Sequence, residues 1–170
     1  MSLVLQSSGG GQITIQEPAT ASNFTATMPA ATGEVMVTGN MPAFSAYVGT
    51  TSSMTGGAFT KITYDTEDFD TNSNFASSRF TPTVGGYYQI NGAVASQGLP
   101  QEVITAIYKN GSAFKYGVDN LTGGNSTVAS VVFLNGSTDY VEIYAFSANT
   151  RNTATGQLYT YFNGSMVRGS

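Results

Sequence analysis

The chain has 170 residues and a net charge of −4, and only 9% of its residues are charged, against about 25% in an ordinary globular protein. The acidic balance and the six scattered basic residues exclude a surface that binds a nucleic-acid backbone, which requires clustered Lys and Arg. The chain contains no Cys and no His, so disulfides, thiolate chemistry and Cys/His metal sites are excluded as well.

The first forty residues differ from the rest and predict an N-terminal β-rich attachment segment, residues 1–40. Two stretches, 2–6 and 12–16, alternate apolar and polar residues on either side of a Gly-Gly-Gly turn. Short strands are also predicted over 24–28 and 34–37. A meander of this size cannot bury enough area alone, so we expect it to pair with another copy or a partner, the alternative being a flexible leader. The residues expected to make this attachment are Ile13, Ile15, Phe24, Val35 and Val37.

The remainder, residues 41–170, predicts a single all-β domain. Asn110-Gly111 and Asn135-Gly136 are the preferred residues of tight hairpins, and no window has the apolar spacing of a helix. Many short strands with regular turn signals indicate a sandwich or jelly roll. The predicted strands cover 59–64, 86–95, 102–109, 113–117, 127–134, 139–146 and 156–167.

The segment 79–95 has the clearest pattern in the chain. Pro82 and the pair Gly85-Gly86 predict a turn, the glycines because they adopt φ values closed to other residues. Beyond the turn, Tyr88, Ile90, Gly92 and Val94 fall on one face of a strand and polar or small residues on the other. Asn91-Gly92 lies inside this alternation, which indicates close packing or a bulge rather than a turn.

The only acidic cluster predicts either a weak calcium site or a solvated loop. Its carboxylates, Asp65, Glu67, Asp68 and Asp70, supply the oxygen ligands that Ca²⁺ takes, but without the spacing of an EF-hand. Nucleophilic catalysis lacks a His base and a nucleophile elbow. We therefore expect no enzyme and no cofactor, with calcium as the one possible ion.

The aromatic residues are ten Phe and ten Tyr. Phe44, Phe80, Phe133, Phe146 and Phe162 are expected in the core. Most Tyr side chains are expected half-buried along strands, the alternative being that they bind a glycan or a protein. A further set is equally suited to a contact between subunits: Tyr47, Tyr87, Tyr116 and Tyr159.

Six segments in order resemble the C1q/TNF-like globular domain. Pro-Ala-Phe-Ser-Ala at 42–46 resembles its opening strand, and Ile-Thr-Tyr-Asp at 62–65 its second. Arg-Phe-Thr-Pro followed by Gly-Gly-Tyr-Tyr, within 79–88, resembles its most recognisable element. Later matches are Ile-Tyr-Lys-Asn-Gly at 107–111, Leu-Asn-Gly-Ser-Thr-Asp-Tyr-Val at 134–141, which has two extra residues before the Asp, and Tyr-Phe-Asn-Gly at 161–164.

This resemblance implies a ten-stranded C1q/TNF-like jelly-roll sandwich that assembles as a homotrimer and binds through exposed loops rather than acting as an enzyme. The collagen-like stalk and the Cys residues of animal members are absent here. The candidate contact loops are 49–57, 66–78, 97–101 and 119–126. The residues that the resemblance assigns to core or threefold packing are Phe44, Phe80, Tyr88, Phe133, Phe146 and Phe162.

In place of the stalk, Thr-Ile-Gln-Glu-Pro at 14–18 and Met-Pro-Ala-Ala-Thr-Gly at 28–33 resemble a leader of bacteriophage virion proteins and tail fibres. The first residues lack a signal peptide, and no apolar stretch is long enough to span a membrane. We therefore expect a virion protein that is made in the host cytoplasm and released by lysis. Its expected partners are further copies of itself, other virion proteins and a host-surface glycan or protein.

Three functions fit this reading. The first is the homotrimeric knob of a tail fibre or spike that contacts the host cell surface. The second is a capsid decoration, or cement, protein that stabilises the head. The third is a free lectin-like binding module. No nucleic acid and no membrane insertion are expected for any of them.

Overall fold

The computed structural model describes residues 2–16, 19–23, 25, 27, 30, 35–98, 102–118 and 123–170. The chain divides into two compact units, Met1–Gly33 and Glu34–Ser170. The predicted strand over 24–28 lies mainly outside the described residues, and Phe24 with it.

The first unit contains an antiparallel hairpin of β1 (Ser2–Gln6) and β2 (Gln12–Gln16). Leu3 lies opposite Ile15 and Leu5 opposite Ile13, so four aliphatic side chains share one face. The turn is closed by the Ser7 amide, which donates to the Gly11 carbonyl at 2.8 Å. All four aliphatic side chains are about half exposed or more, so the described residues of this unit leave that face of the hairpin in contact with water.

The second unit is a sandwich of two five-stranded antiparallel sheets, as the sequence predicts. The strands are β3 (Ala43–Tyr47), β4 (Ser53–Met54), β5 (Ala58–Lys61), β6 (Thr66–Asp70), β7 (Phe75–Ala76), β8 (Arg79–Phe80), β9 (Gly86–Ala95), β10 (Val103–Lys109), β11 (Ser112–Tyr116), β12 (Asn125–Leu134), β13 (Val141–Ser147), β14 (Arg151–Asn152) and β15 (Tyr161–Gly169). The first sheet has the order β12-β9-β15-β3-β6 and the second β11-β10-β13-β8-β7, with a two-stranded ribbon, β14-β4, beside them.

The core lies between the two sheets and is built around a cluster of aromatic rings. Phe44 of β3 stacks on Phe80 of β8 with ring centroids 4.3 Å apart and on Phe75 of β7 at 5.1 Å. Phe162 of β15 meets Phe44 edge-on at 4.8 Å. Tyr88 of β9 packs against Phe80 and donates its hydroxyl to the Val84 carbonyl at 2.6 Å. Because these rings come from both sheets, they fix the spacing and alignment of the sandwich.

Strand β9 shows the predicted alternation. Tyr88, Ile90, Gly92 and Val94 are all buried, and a Cβ on Gly92 would lie 2.7 Å from Ile143 of the opposite sheet. The close-packing interpretation of Asn91-Gly92 is therefore confirmed.

The turn before β9 uses its glycines for a different reason from the predicted one. Gly85 and Gly86 do not have positive φ values. A Cβ on Gly86 would lie 2.4 Å from the Arg168 carbonyl oxygen, so a side chain is excluded by the neighbouring strand β15.

The two Asn-Gly pairs have different outcomes. Asn110 and Gly111 have φ values of 51° and 78° and join β10 to β11 in a two-residue hairpin, as predicted. Asn135-Gly136 does not form a hairpin, because β12 and β13 belong to different sheets. The Asn135 side-chain oxygen instead accepts from the backbone amides of residues 137–139, which shapes a crossover between the sheets.

Three further predictions are corrected by the structure. Residues 35–37 form no strand, because the Val37 amide donates to the Asn40 side chain at 2.7 Å in a short 3-10 turn, Thr38–Asn40. The acidic segment is an edge strand, β6, rather than a loop. The strand predicted over 156–167 begins only at β15, because the Tyr159 amide donates to the Gly156 carbonyl at 3.0 Å in a turn.

Candidate functional site

The outer face of the first sheet is the candidate functional site. Along β9 and β12, every second side chain points into the core and the others point outward, so the outer face carries the odd-numbered residues of both strands. Strands β3, β9 and β12 contain no Asp, Glu, Lys or Arg. The part of the face over these three strands therefore has no charged side chain, and the charged residues of the sheet lie on β6 (Glu67, Asp68 and Asp70) and on β15 (Arg168).

One end of this face is apolar. Tyr87 of β9 pairs with Phe133 of β12, with ring centroids 5.4 Å apart. Val131, also on β12, and Val167 on β15 extend the apolar area. The four side chains are 42–56% exposed, so the sandwich leaves about half of each in contact with water.

The centre of the face holds a chain of side-chain amides. Gln89 donates from Nε2 to Asn91 Oδ1 at 2.9 Å, and Asn91 donates from Nδ2 to Asn163 Oδ1 at 2.9 Å. The three side chains come from neighbouring strands, β9 and β15, and are half-buried. Because each amide orients the next, the chain presents a fixed pattern of donors and acceptors to whatever covers the face.

The aromatic residues assigned to core or threefold packing separate into two groups. Phe44, Phe80, Tyr88 and Phe162 are buried in the core. Phe133 is not a core residue: it is 42% exposed on the outer face described above.

Phe146 is not a core residue either. It is half-buried on the outer side of the second sheet, with its ring 5.7 Å from that of Phe59. Both exceptions follow from the alternation of side chains along a strand. On β12 the buried neighbours of Phe133 are Val132 and Leu134, so Phe133 points outward. On β13 the core side chains are Val141, Ile143 and Ala145, so Phe146 points outward.

Strand parity was also the signal that could have identified the outer face from the sequence. Val131, Gln89 and Asn163 were not predicted as site residues, yet each is out of phase with the buried residues of its own strand. Tyr87, which was predicted as a possible subunit contact, does lie on this face.

The acidic cluster does not form a metal site among the described residues, where no group of three potential ligands converges. Asp65 accepts hydrogen bonds from the Thr50 hydroxyl and from the amides of Gly49 (2.6 Å) and Thr50 (3.0 Å). The Thr50 hydroxyl, followed by these amides, holds the pKa of Asp65 below its usual value despite partial desolvation.

The other carboxylates of the cluster also have separate positions. Asp68 accepts from the Ser45 hydroxyl at 2.8 Å, and Asp70 accepts from the Phe75 amide at 2.7 Å. Glu67 is exposed. Each of the three bonded carboxylates therefore stabilises its own turn or strand pair, and the described structure does not bring Asp65, Glu67, Asp68 and Asp70 together into one set of ligands.

The residues predicted for attachment lie in both units. Ile13 and Ile15 are 66% and 58% exposed on the apolar face of the N-terminal hairpin. Val35 and Val37 are exposed too, but they belong to the second unit, in which the neighbouring Met36 packs against the core.

The predicted contact loops are only partly loops. Segment 49–57 contains β4, and 66–78 contains β6 and β7. Residues 99–101 and 119–122 lie outside the described residues, and 125–126 belong to β12. Among the described residues, no helix combines the length and the apolar character needed to cross a membrane.

Comparison with known proteins identifies the fold. No protein-family model and no curated protein matches the sequence. Among solved structures, the globular domain of zebrafish complement 1qA is similar with a TM-score of 0.57 and 18% identity, covering 76% of this chain and 99% of that one. Murine APRIL is similar with a TM-score of 0.60 and 10% identity, covering 75% and 99%.

A third structure, the vertex protein P5 of phage PRD1, has a TM-score of 0.51 and 13% identity, with coverage of 75% of this chain and 98% of that one. At these identities the likeness establishes the fold alone. The second unit has the C1q/TNF jelly-roll sandwich fold, as the sequence predicts.

Proposed function

We propose that this chain is a bacteriophage virion protein, the homotrimeric knob of a tail fibre or spike, which contacts the host cell surface. The outer face of the first sheet carries this proposal, because three of its five strands have no charged side chain and one of its ends is apolar. The five strands have 5, 5, 9, 10 and 10 residues, and at about 3.3 Å along and 4.8 Å across for each residue they give the face an area of about 600 Å². That is at the lower end of the area that one partner contributes to a standard protein interface.

Three copies turned toward a common axis would cover this face on each of them. The apolar end, with Tyr87 and Phe133, supplies the hydrophobic contact, and the amides of Gln89, Asn91 and Asn163 supply the polar contacts. The loops at the ends of the sandwich, which include the described parts of 49–57 and 97–98, would remain free. Three copies of a weak loop contact gain affinity through avidity.

The phage assignment is supported by the resemblance of 14–18 and 28–33 to a virion leader and by the fold shared with a phage vertex protein. Two measurements test the proposal. The purified protein should have the mass of three 17.7-kDa chains by sedimentation equilibrium. Particles that lack the protein should adsorb poorly to host cells, and unchanged adsorption would eliminate host contact as its role.

A capsid decoration protein is the second candidate, and the N-terminal hairpin favours it. Its face of Leu3, Leu5, Ile13 and Ile15 is exposed, and no described strand pairs with either edge of the hairpin, so both edges could extend a sheet of a capsid subunit. Copy number separates the two functions, because decoration requires hundreds of copies per particle, whereas a fibre or spike requires tens or fewer.

A further inference from the structure

A cluster of three charged side chains joins β13 and β8 of the second sheet to β5, away from the candidate assembly face. Glu142 of β13 is 2% exposed, and its Oε1 accepts from Lys61 Nζ at 2.7 Å and from Arg79 Nε at 2.9 Å. One carboxylate therefore serves two cations, which leaves one excess positive charge in a chain that has only six basic residues and a net charge of −4.

The cationic ends border a cleft of about 490 Å³. Arg79 is fixed in position, because Glu142 holds its Nε and its guanidinium lies 3.7 Å above the Tyr140 ring. Its two terminal amino groups make no hydrogen bond within the described residues, and the side chain is 42% exposed. These amino groups form the donor fork that binds a carboxylate or a phosphate with two parallel hydrogen bonds.

The rest of the cleft is lined by small hydroxyl and amide side chains: Ser73, Asn74, Ser77, Thr81 and Thr83. Only one side chain of the lining, Ala76, is apolar, so the cleft offers little to an apolar ligand. Two cations are too few for a nucleic-acid backbone, whose binding depends on many phosphate contacts. A hydroxyl-rich ligand with a single negative charge matches this lining.

Two turns that border the cleft have unusual backbone geometry. Ser77 and Ser78 form the two-residue turn between β7 and β8 with φ values of 51° and 58°, and Ser73 has a φ of 55°. Asn or Gly adopts such values at lower cost. Ser78 has a structural reason, because its hydroxyl accepts from the Tyr64 amide at 2.8 Å. Ser73 and Ser77 show no such bond from their hydroxyls among the described residues, so these groups are free to meet a ligand.

We propose that this cleft binds the oxyanion of an acidic saccharide, with the Arg79 fork on a carboxylate or phosphate group, Lys61 supporting its charge, and the Ser and Thr hydroxyls on the sugar. This assignment rests on the proposed function in one respect: the acidic saccharide would be the host-surface ligand that the virion protein contacts. Binding itself requires neither a virion nor the assembly face.

The test is calorimetric titration of the isolated protein with sodium glucuronate, glucose 6-phosphate, inorganic phosphate and glucose. We expect glucuronate or glucose 6-phosphate to bind with a dissociation constant on the order of 1 mM per site, a weak affinity that three copies would raise. Binding of glucuronate would identify the oxyanion as a carboxylate, and binding of glucose 6-phosphate would identify it as a phosphate. Binding of neither, or binding of glucose to the same degree, would overturn the proposal. Binding of inorganic phosphate as tightly as the sugars would overturn its saccharide part.

A matched pair of variants locates the site. Ala76 is exposed and lies directly opposite Arg79 in the β7–β8 pairing, so Ala76→Glu places a carboxylate beside the fork without disturbing Glu142. We expect Ala76→Glu to bind the ligand at least tenfold more weakly than Ala76→Gln, which introduces a side chain of the same size without the charge. Equal binding by the two variants would contradict the assignment. The mass of each variant, measured in the same samples, separates a failed ligand site from a failed trimer.

Discussion

Replacing Phe133 by Ala should weaken self-association of the chain strongly. The side chain is 42% exposed in the single chain, which for a Phe of about 200 Å² leaves about 80 Å² in contact with water. Covering that area contributes about 2 kcal/mol at ~25 cal/mol per Å². Three copies in one trimer would together contribute about 6 kcal/mol, or about a 10⁴-fold change in the equilibrium between the trimer and three separate chains.

A second Phe provides the control. Phe114 is 41% exposed on β11 of the second sheet, so Phe114→Ala removes the same chemical group from a surface outside the proposed interface. Sedimentation velocity over a dilution series should show dissociation of Phe133→Ala at concentrations where Phe114→Ala and the unchanged protein remain trimeric. Urea unfolding of both variants checks that each is folded. An equal effect of the two substitutions, or none, would refute the role of this face.

Three predictions concern stability. Gly92→Ala should lower the free energy of unfolding in urea by about 1–3 kcal/mol, because the new Cβ lies 2.7 Å from Ile143 Cδ1. Ile143→Val removes that atom and should restore part of the loss in the double variant. Strictly additive effects of the two substitutions would contradict this contact. The pKa of Asp65 is lower in the fold than in the unfolded chain, where it is about 4, so ionised Asp65 stabilises the fold above that value and the contribution is lost as the pH falls through the lowered pKa. Asp65→Asn should therefore flatten the acid limb of a stability–pH curve. An unchanged limb would show that the hydrogen bonds contribute little. Gly136→Ala should destabilise the fold more than Gly98→Ala. Both glycines have positive φ, but only at Gly136 would the new Cβ meet backbone, 2.2 Å from a neighbouring amide nitrogen. Equal melting temperatures of the two variants would contradict this steric explanation.

The jelly roll was predictable from the sequence because several of its signals are local. Strand β9 has a period of two over ten residues, and Asn110-Gly111 has the residues that a two-residue hairpin requires. The same reasoning was wrong for Asn135-Gly136, because the residues of a turn do not reveal whether the following strand pairs with the preceding one or crosses to the other sheet.

Other features were inaccessible to sequence reasoning for physical reasons. Strands such as β7 and β8 have two residues each, too few for any periodicity to appear. Segment 65–70 predicts a loop because Asp is depleted in strands, yet residues 66–70 form an edge strand on which Glu67 and Asp68 stay exposed. The cluster of Lys61, Arg79 and Glu142 joins residues far apart in the chain, and only the sheet topology brings them together.

The position of β15 has a consequence for how the protein is made. This strand lies between β3 and β9, so until residues 161–169 have left the ribosome the first sheet exists as two separate ribbons, β6-β3 and β12-β9. Each ribbon then has an open edge that can pair with another nascent chain. A chain whose translation stops before residue 161 therefore exposes two strand edges that can pair with other chains, and β15 is the strand that covers both.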